Sequence, residues 1–148
     1  MPIRNRQQRM IRIPMRTANA AMLASYRNAG LEGVVQSATP ERLIWMLYDG
    51  AITRLATARS AMDSGDPAQK GRMIGAAMSI VSALRACLNT SAGGEVAKNL
   101  ESLYDYMNRR LLEASARNES AAVDEVIGLM RKLAAAWETM PAGSAKAA

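Results

Sequence analysis

The chain contains no histidine and no phenylalanine, and it carries a single cysteine, Cys87. Without histidine there is no Glu-x-x-His pair for a di-iron centre and no haem attachment motif, the two metal chemistries most often housed between packed helices. Ser-His and Cys-His nucleophile arrangements fall for the same reason. One cysteine cannot close an intramolecular disulfide, so nothing marks an oxidising compartment and a cytoplasmic setting is expected. No apolar run approaches the roughly 18 residues that span a bilayer, and the N-terminus lacks the continuous apolar stretch of a secretory signal. No membrane insertion is expected. Gly93-Gly94 lacks the lysine and the preceding strand of a phosphate loop. Asp124-Glu125, the one adjacent carboxylate pair, points along two different helix directions and reads as a solvated face. The expectation is a protein without catalytic residues, metal ligands or cofactor.

Acidic residues are absent from the first 31 positions, while Arg4, Arg6, Arg9, Arg12, Arg16 and Arg27 all precede Glu32. Once these six are set aside, the thirteen remaining basic residues equal the thirteen acidic ones, so the chain from Asn28 onward is formally neutral and the charge of +6 belongs to the residues before it. A neutral body is a poor phosphate-tracking surface, because nucleic-acid affinity comes from clustered cations that release counterions. No nucleic-acid partner is expected; the alternative, a basic-armed helical nucleic-acid-binding protein, would rest on the arm alone. An acid-free, Arg-rich start also resembles a transit peptide, but Pro2 and Pro14 interrupt a helix there.

What the chain does have is alanine, leucine and eleven methionines in a composition that is 49% hydrophobic and only 4% aromatic, which favours helices over sheets. Thr39-Pro40-Glu41 has the cap, the proline and the acid that open a helix. Ile44, Leu47, Ala51, Leu55, Ala58 and Met62 then recur every three or four residues up to a stop at Gly65. Asp66-Pro67 opens a second helix on Ile74, Ala77, Val81, Leu84 and Leu88, expected to end near Gly93-Gly94. A third runs from about Glu95 to Ala116 on Val96, Leu100, Leu103, Met107, Leu111 and Ala114. After the turn at Arg117-Asn118-Glu119-Ser120, Val123, Ile127, Met130, Ala134 and Trp137 carry a fourth that stops before Pro141. Short links make neighbouring helices antiparallel. The expected fold is all-α: an up-down-up-down four-helix bundle over residues 38–140, preceded by a basic, partly disordered arm (1–37) and followed by a disordered tail (141–148).

The apolar band is wider than a core requires. At about 100° per residue, Met73, Ile80, Leu84 and Cys87 with their neighbours span roughly 180° of the second helix. Trp45 and Ile52, seven residues apart, form a second flank on the first helix, while Leu43 and Met46 lie on yet other sides. Something must cover these residues: the arm, a second copy of the chain when no partner is bound, or an amphipathic partner helix laid in a groove. Cys87, with no histidine nearby, reads as a small hydrophobe. Tyr104 and Tyr106 read either as partner contacts or as rings packed between helices with their hydroxyls at the bundle edge.

The segments Ala38-Thr-Pro-Glu-Arg-Leu-Ile-Trp-Met-Leu-Tyr-Asp-Gly50 and Tyr104-Asp-Tyr-Met-Asn-Arg-Arg-Leu111 resemble the flagellar secretion chaperone family, FliS. Tyr26, Val35, Thr39 and Asp49-Gly50 fit its spacing, and the likeness extends from Tyr26 to Trp137. The resemblance implies a cytoplasmic type III export chaperone that binds the C-terminal segment of flagellin, prevents its premature polymerisation and delivers it to the flagellar export gate. On that basis partner contacts are expected at Tyr26, Trp45, Ile52, Met73, Ile80, Leu84, Cys87, Leu103, Tyr104 and Met107, with the groove on the second and third helices. The arm departs from the family, whose members have only a few residues before the Tyr. Met22 would make Tyr26 the fifth residue, so a translation start at Met22 is expected, with Met10 and Met15 as intermediate options.

Overall fold

A computed structural model describes residues 40–88 and 90–139. The arm, Thr39, Tyr26, the expected start sites and the tail lie outside the described residues. Within them, four helices follow one another: α1 (Pro40–Ser64), α2 (Pro67–Ala86), α3 (Thr90–Arg117) and α4 (Ser120–Thr139). α1 packs on α2 and α4, and α3 packs on the same two helices, so the four enclose one core.

The boundaries follow local chemistry. Gly65 ends α1 at φ 71°, the left-handed region that a side chain resists. One residue on, Asp66 accepts a hydrogen bond from the backbone N–H of Gln69 at 3.1 Å, and Pro67 occupies the first turn. Asn118, at φ 55°, makes the corresponding turn between α3 and α4. Its side-chain oxygen accepts from Lys70 Nζ at 3.2 Å, which also donates to the Ser115 carbonyl at 3.2 Å, tying this turn to the start of α2.

α2 is shorter than its sequence pattern predicts. It ends at Ala86, with the Cys87 amide closing the last turn on the carbonyls of Ala83 and Leu84, not near Gly93-Gly94. Residues 90–93 form a first turn of α3 instead, separated from the rest of that helix by a break at Gly94 (φ 60°, ψ −140°). The polar run Asn89-Thr90-Ser91 explains the difference, since such side chains compete for backbone hydrogen bonds and favour helix ends over interiors.

The core is largely aliphatic, with Met46, Met107 and Met130 among its buried residues. Leu47, Ala51, Leu55 and Ala58 from α1 meet Ile74, Ala77 and Val81 from α2, Met107, Leu111 and Ala114 from α3, and Val123, Val126 and Met130 from α4. Each leucine or isoleucine buried here contributes about 1.5–3 kcal/mol. Leu43 and Met46, which sit off the main stripe of α1, are buried as well. The first turns of α1 are therefore covered on more than one side.

Candidate partner-binding surface

The residues singled out in the sequence separate into two groups. Ile80, Leu84, Cys87, Tyr104 and Met107 are interior, none more than 2% exposed, and belong to the core cluster. They cannot be touched by a partner while the bundle is closed. The wide band on α2 has a simple cause: its two flanks face two different neighbours, α1 and α3. Trp45, Ile52, Met73 and Leu103 are only half-buried at the margin of the core. Tyr26 lies outside the described residues.

Polar side chains bridge α2 and α3 at three points. Arg85 donates to Asp105 from Nε at 2.7 Å and approaches Glu101 at 3.7 Å. Asn108 donates to the Ser82 hydroxyl at 3.1 Å, and Lys70 closes the far end. A groove expected on these two helices meets a seam already bridged by side chains.

Apolar side chains reach the surface on either side of α4. On α3, Leu100 and Leu103 are half-buried and Val96 is 50% exposed. Leu103 shares a face with Tyr106 and Arg110, whose side chains bond Glu125 of α4 at 2.6 and 2.8 Å. On α4, Leu129 and Leu133 follow Glu125 at successive four-residue steps and are half-buried in turn. Trp45 and Ile52 share a face of α1 with Arg59, which donates to Asp124 of α4 at 3.0 Å. Arg42 stacks over the Trp45 ring, its guanidinium carbon 4.8 Å from the centroid. Asp124 and Glu125 do diverge, one toward α1 and the other toward α3, but each is engaged in an ion pair between helices.

Electrostatically the surface is quiet. Tyr106 and then Arg110 hold the Glu125 carboxyl below its usual range, and the same contact raises the Tyr106 phenol. Burial pushes the Cys87 thiol up to about 11, which suppresses the nucleophilic thiolate. Among the described residues no group of three or more His, Cys, Asp or Glu side chains could hold a metal ion, and no helix is long and apolar enough to cross a membrane.

Sequence reading missed one feature. Tyr48 of α1 and Tyr104 of α3 are both buried, their hydroxyls 2.5 Å apart, and the indole N–H of Trp137 in α4 donates to the Tyr48 oxygen at 2.9 Å. Tyr104 thus packs between helices, with its hydroxyl interior and not at the bundle edge. Desolvation raises the Tyr48 phenol to about 12 and Tyr104 well above its ordinary value. Only the position of Tyr48 beside the α1 stripe could have signalled this layer.

The chain resembles known proteins over most of its length. A family model described as Flagellar protein FliS matches residues 22–144. The flagellar secretion chaperone FliS of Salmonella typhimurium is 43% identical over 120 residues, which is 80% of this chain and 89% of that protein. FliSB of Pseudomonas aeruginosa, also named a flagellar secretion chaperone, is 40% identical over 78% of this chain and 92% of its own length. FliS of Bacillus subtilis is 32% identical over 70% of this chain and 77% of its own. With a bundle of four helices, apolar residues at its surface and a family match across all four, the chain belongs to the FliS family of flagellar secretion chaperones.

Proposed function

We propose that the chain is a cytoplasmic, non-catalytic chaperone of flagellar type III export, which holds the C-terminal segment of flagellin as an amphipathic helix, blocks its premature polymerisation and presents it to the export gate. The observation that carries the reading is the pair of half-buried apolar rows on α3 and α4, Leu100 and Leu103 against Leu129 and Leu133, continued by exposed Val96. An antiparallel arrangement is supported by two bonds between α1 and α4: Arg59 in the second half of α1 bonds Asp124 near the start of α4, whereas Tyr48 near the start of α1 is bonded by Trp137 near the end of α4. Tyr106 and Arg110 of α3 both bond Glu125 of α4, and with the short turn at Asn118 this supports α4 running back along α3. Leu103 then stands level with Leu129, and Leu100 with Leu133. An apolar helix lying in that seam buries side chains that otherwise invite self-association. Trp45 and Ile52, on the other flank of α4, provide a second patch for a segment that continues around the bundle. Without flagellin, the same rows are what a second copy of the chain would cover.

Calorimetric titration with a peptide of the cognate flagellin C-terminus tests this, with saturable binding near one to one expected. Leu100→Asp and Leu133→Asp should abolish it while helicity is retained; undiminished binding in both would remove the seam from the proposal. Ile80→Asp cannot serve, since Ile80 is 1% exposed and a carboxylate there destroys the core.

A further inference from the structure

Three side-chain bridges join α2 to α3, and their α2 members fall in number as their α3 members rise: Arg85 to Asp105, Ser82 to Asn108 and Lys70 to Ser115. The stretch between the second and third bridges has a different character. On α2 the row of Arg85 and Ser82 continues through Met78, Gly75 and Gly71, and on α3 the row of Asp105 and Asn108 continues to Leu112, at steps of three or four residues. Met78 is half-buried and both glycines are exposed. Leu112 is 61% exposed, the most of any large apolar side chain among the described residues.

No local feature of α2 calls for these glycines. Neither has the positive φ of Gly65 and Gly94, neither ends a helix, and no atom lies within 4 Å of a Cβ added at either. Glycine in a helix interior is less stable than alanine. What the pair provides, one turn apart on one face, is room for the backbone of a second helix beside the leucine. The charge around this notch is one-sided. Arg72 and Arg109, both exposed, stand three residues from Gly75 and Leu112, and among the described residues neither forms an ion pair; Arg72 reaches only the neutral Gln69. α2 has no acidic residue, and Asp105 and Glu101 of α3 are engaged by Arg85. A second copy of the chain packed α2 on α2 would set Arg72 against Arg72 with no α2 carboxylate to pair them.

We propose that this notch docks an acidic amphipathic helix of a partner protein, with small residues on Gly71 and Gly75, apolar ones on Met78 and Leu112, and carboxylates on Arg72 and Arg109. Asn108 beside it turns to α2, whereas Tyr106 turns to α4, so the notch and the proposed flagellin seam are separate surfaces. The inference does not rest on that seam.

The test uses the full chain, labelled with nitrogen-15, and two synthetic helix-forming peptides that share an alanine and leucine face, one flanked by glutamate and the other by lysine. The glutamate peptide should bind saturably and shift the amide signals of Gly71, Gly75 and Leu112, and the lysine peptide should bind at least about tenfold more weakly. Reversing both cations, Arg72→Glu with Arg109→Glu, should weaken the glutamate peptide about tenfold, as two exposed ion pairs are lost, and exchange the preference. Gly75→Leu, placed in open space, should fill the notch and abolish binding while helicity is retained. Leu112→Ser should weaken binding about fivefold and serves where Gly75→Leu does not fold. No binding, equal binding of the two peptides, binding indifferent to these variants, or shifts confined to Leu100, Leu103, Leu129 and Leu133 would each overturn the proposal. So would a dimer of the free chain in sedimentation that Gly75→Leu abolishes, which gives the notch to a second copy. Displacement of the glutamate peptide by the cognate flagellin C-terminal peptide would give it to flagellin and overturn the proposal equally.

Discussion

Arg59 donates from Nε to Oδ1 of Asp124 at 3.0 Å and also pairs with Asp63 one turn further along its own helix, so a single guanidinium joins the second half of α1 to the first turns of α4. At the opposite end of the same two helices the joint is Tyr48 to Trp137. One helix pair is thus clamped by charge at one end and by a buried neutral hydrogen bond at the other.

Burial separates core from surface leucines sharply. Leu55→Ala, at 0% exposure, should cost about 2–5 kcal/mol in urea unfolding through the lost contacts and the cavity left behind. Leu112→Ser, at 61% exposure, should stay within about 0.5 kcal/mol of wild type. Similar costs for the two would contradict the placement of α1 against the core.

The break in α3 depends on a backbone that glycine tolerates. Gly94 sits at φ 60°, and although nothing would contact an added Cβ, the left-handed conformation itself disfavours a side chain. Gly94→Ala should lower stability by about 1 kcal/mol. Gly75→Ala, in an ordinary helical position with open space around it, should be neutral or stabilising. Thermal melts of the two variants compare them directly.

Acid should loosen the α3–α4 contact. The folded-state pKa of Glu125 is depressed by Tyr106 and Arg110, so its contribution is present above the ordinary carboxyl value near 4.5 and is lost as pH falls through the folded value. The melting temperature of Glu125→Gln should be lower than wild type at pH 7 and converge with it as pH falls through the depressed folded-state value. Parallel profiles at all pH values would assign no role to this carboxylate.

Cys87 is 2% exposed and its thiol is raised to about 11, so both access and thiolate fraction are low. Alkylation at pH 8 should be slower than that of a free thiol by at least about a hundredfold and reach full speed in denaturant. Rapid labelling of the native chain would place Cys87 at the surface.

The helix boundaries were legible because they rest on local chemistry: Pro40, Gly65 and the Asp66-Pro67 cap each act within one turn. The end of α2 was not, since Leu88 continues the apolar period beyond Ala86, where the helix stops. The surface was read with less success. A helical wheel ranks Ile80, Leu84 and Trp45 together as apolar, and only the position of the neighbouring helices separates the interior pair from the half-buried tryptophan. The Tyr48–Tyr104 pair spans 56 residues of sequence, and no local pattern encodes such a meeting.

The two differently built ends of the α1–α4 pair have a consequence for how the molecule responds to its ionic surroundings. Added salt weakens the exposed Arg59–Asp124 ion pair but does not reach the desolvated Tyr48–Trp137 bond. Rising ionic strength therefore loosens the α1–α4 contact at its charged end and leaves the bond at its aromatic end in place.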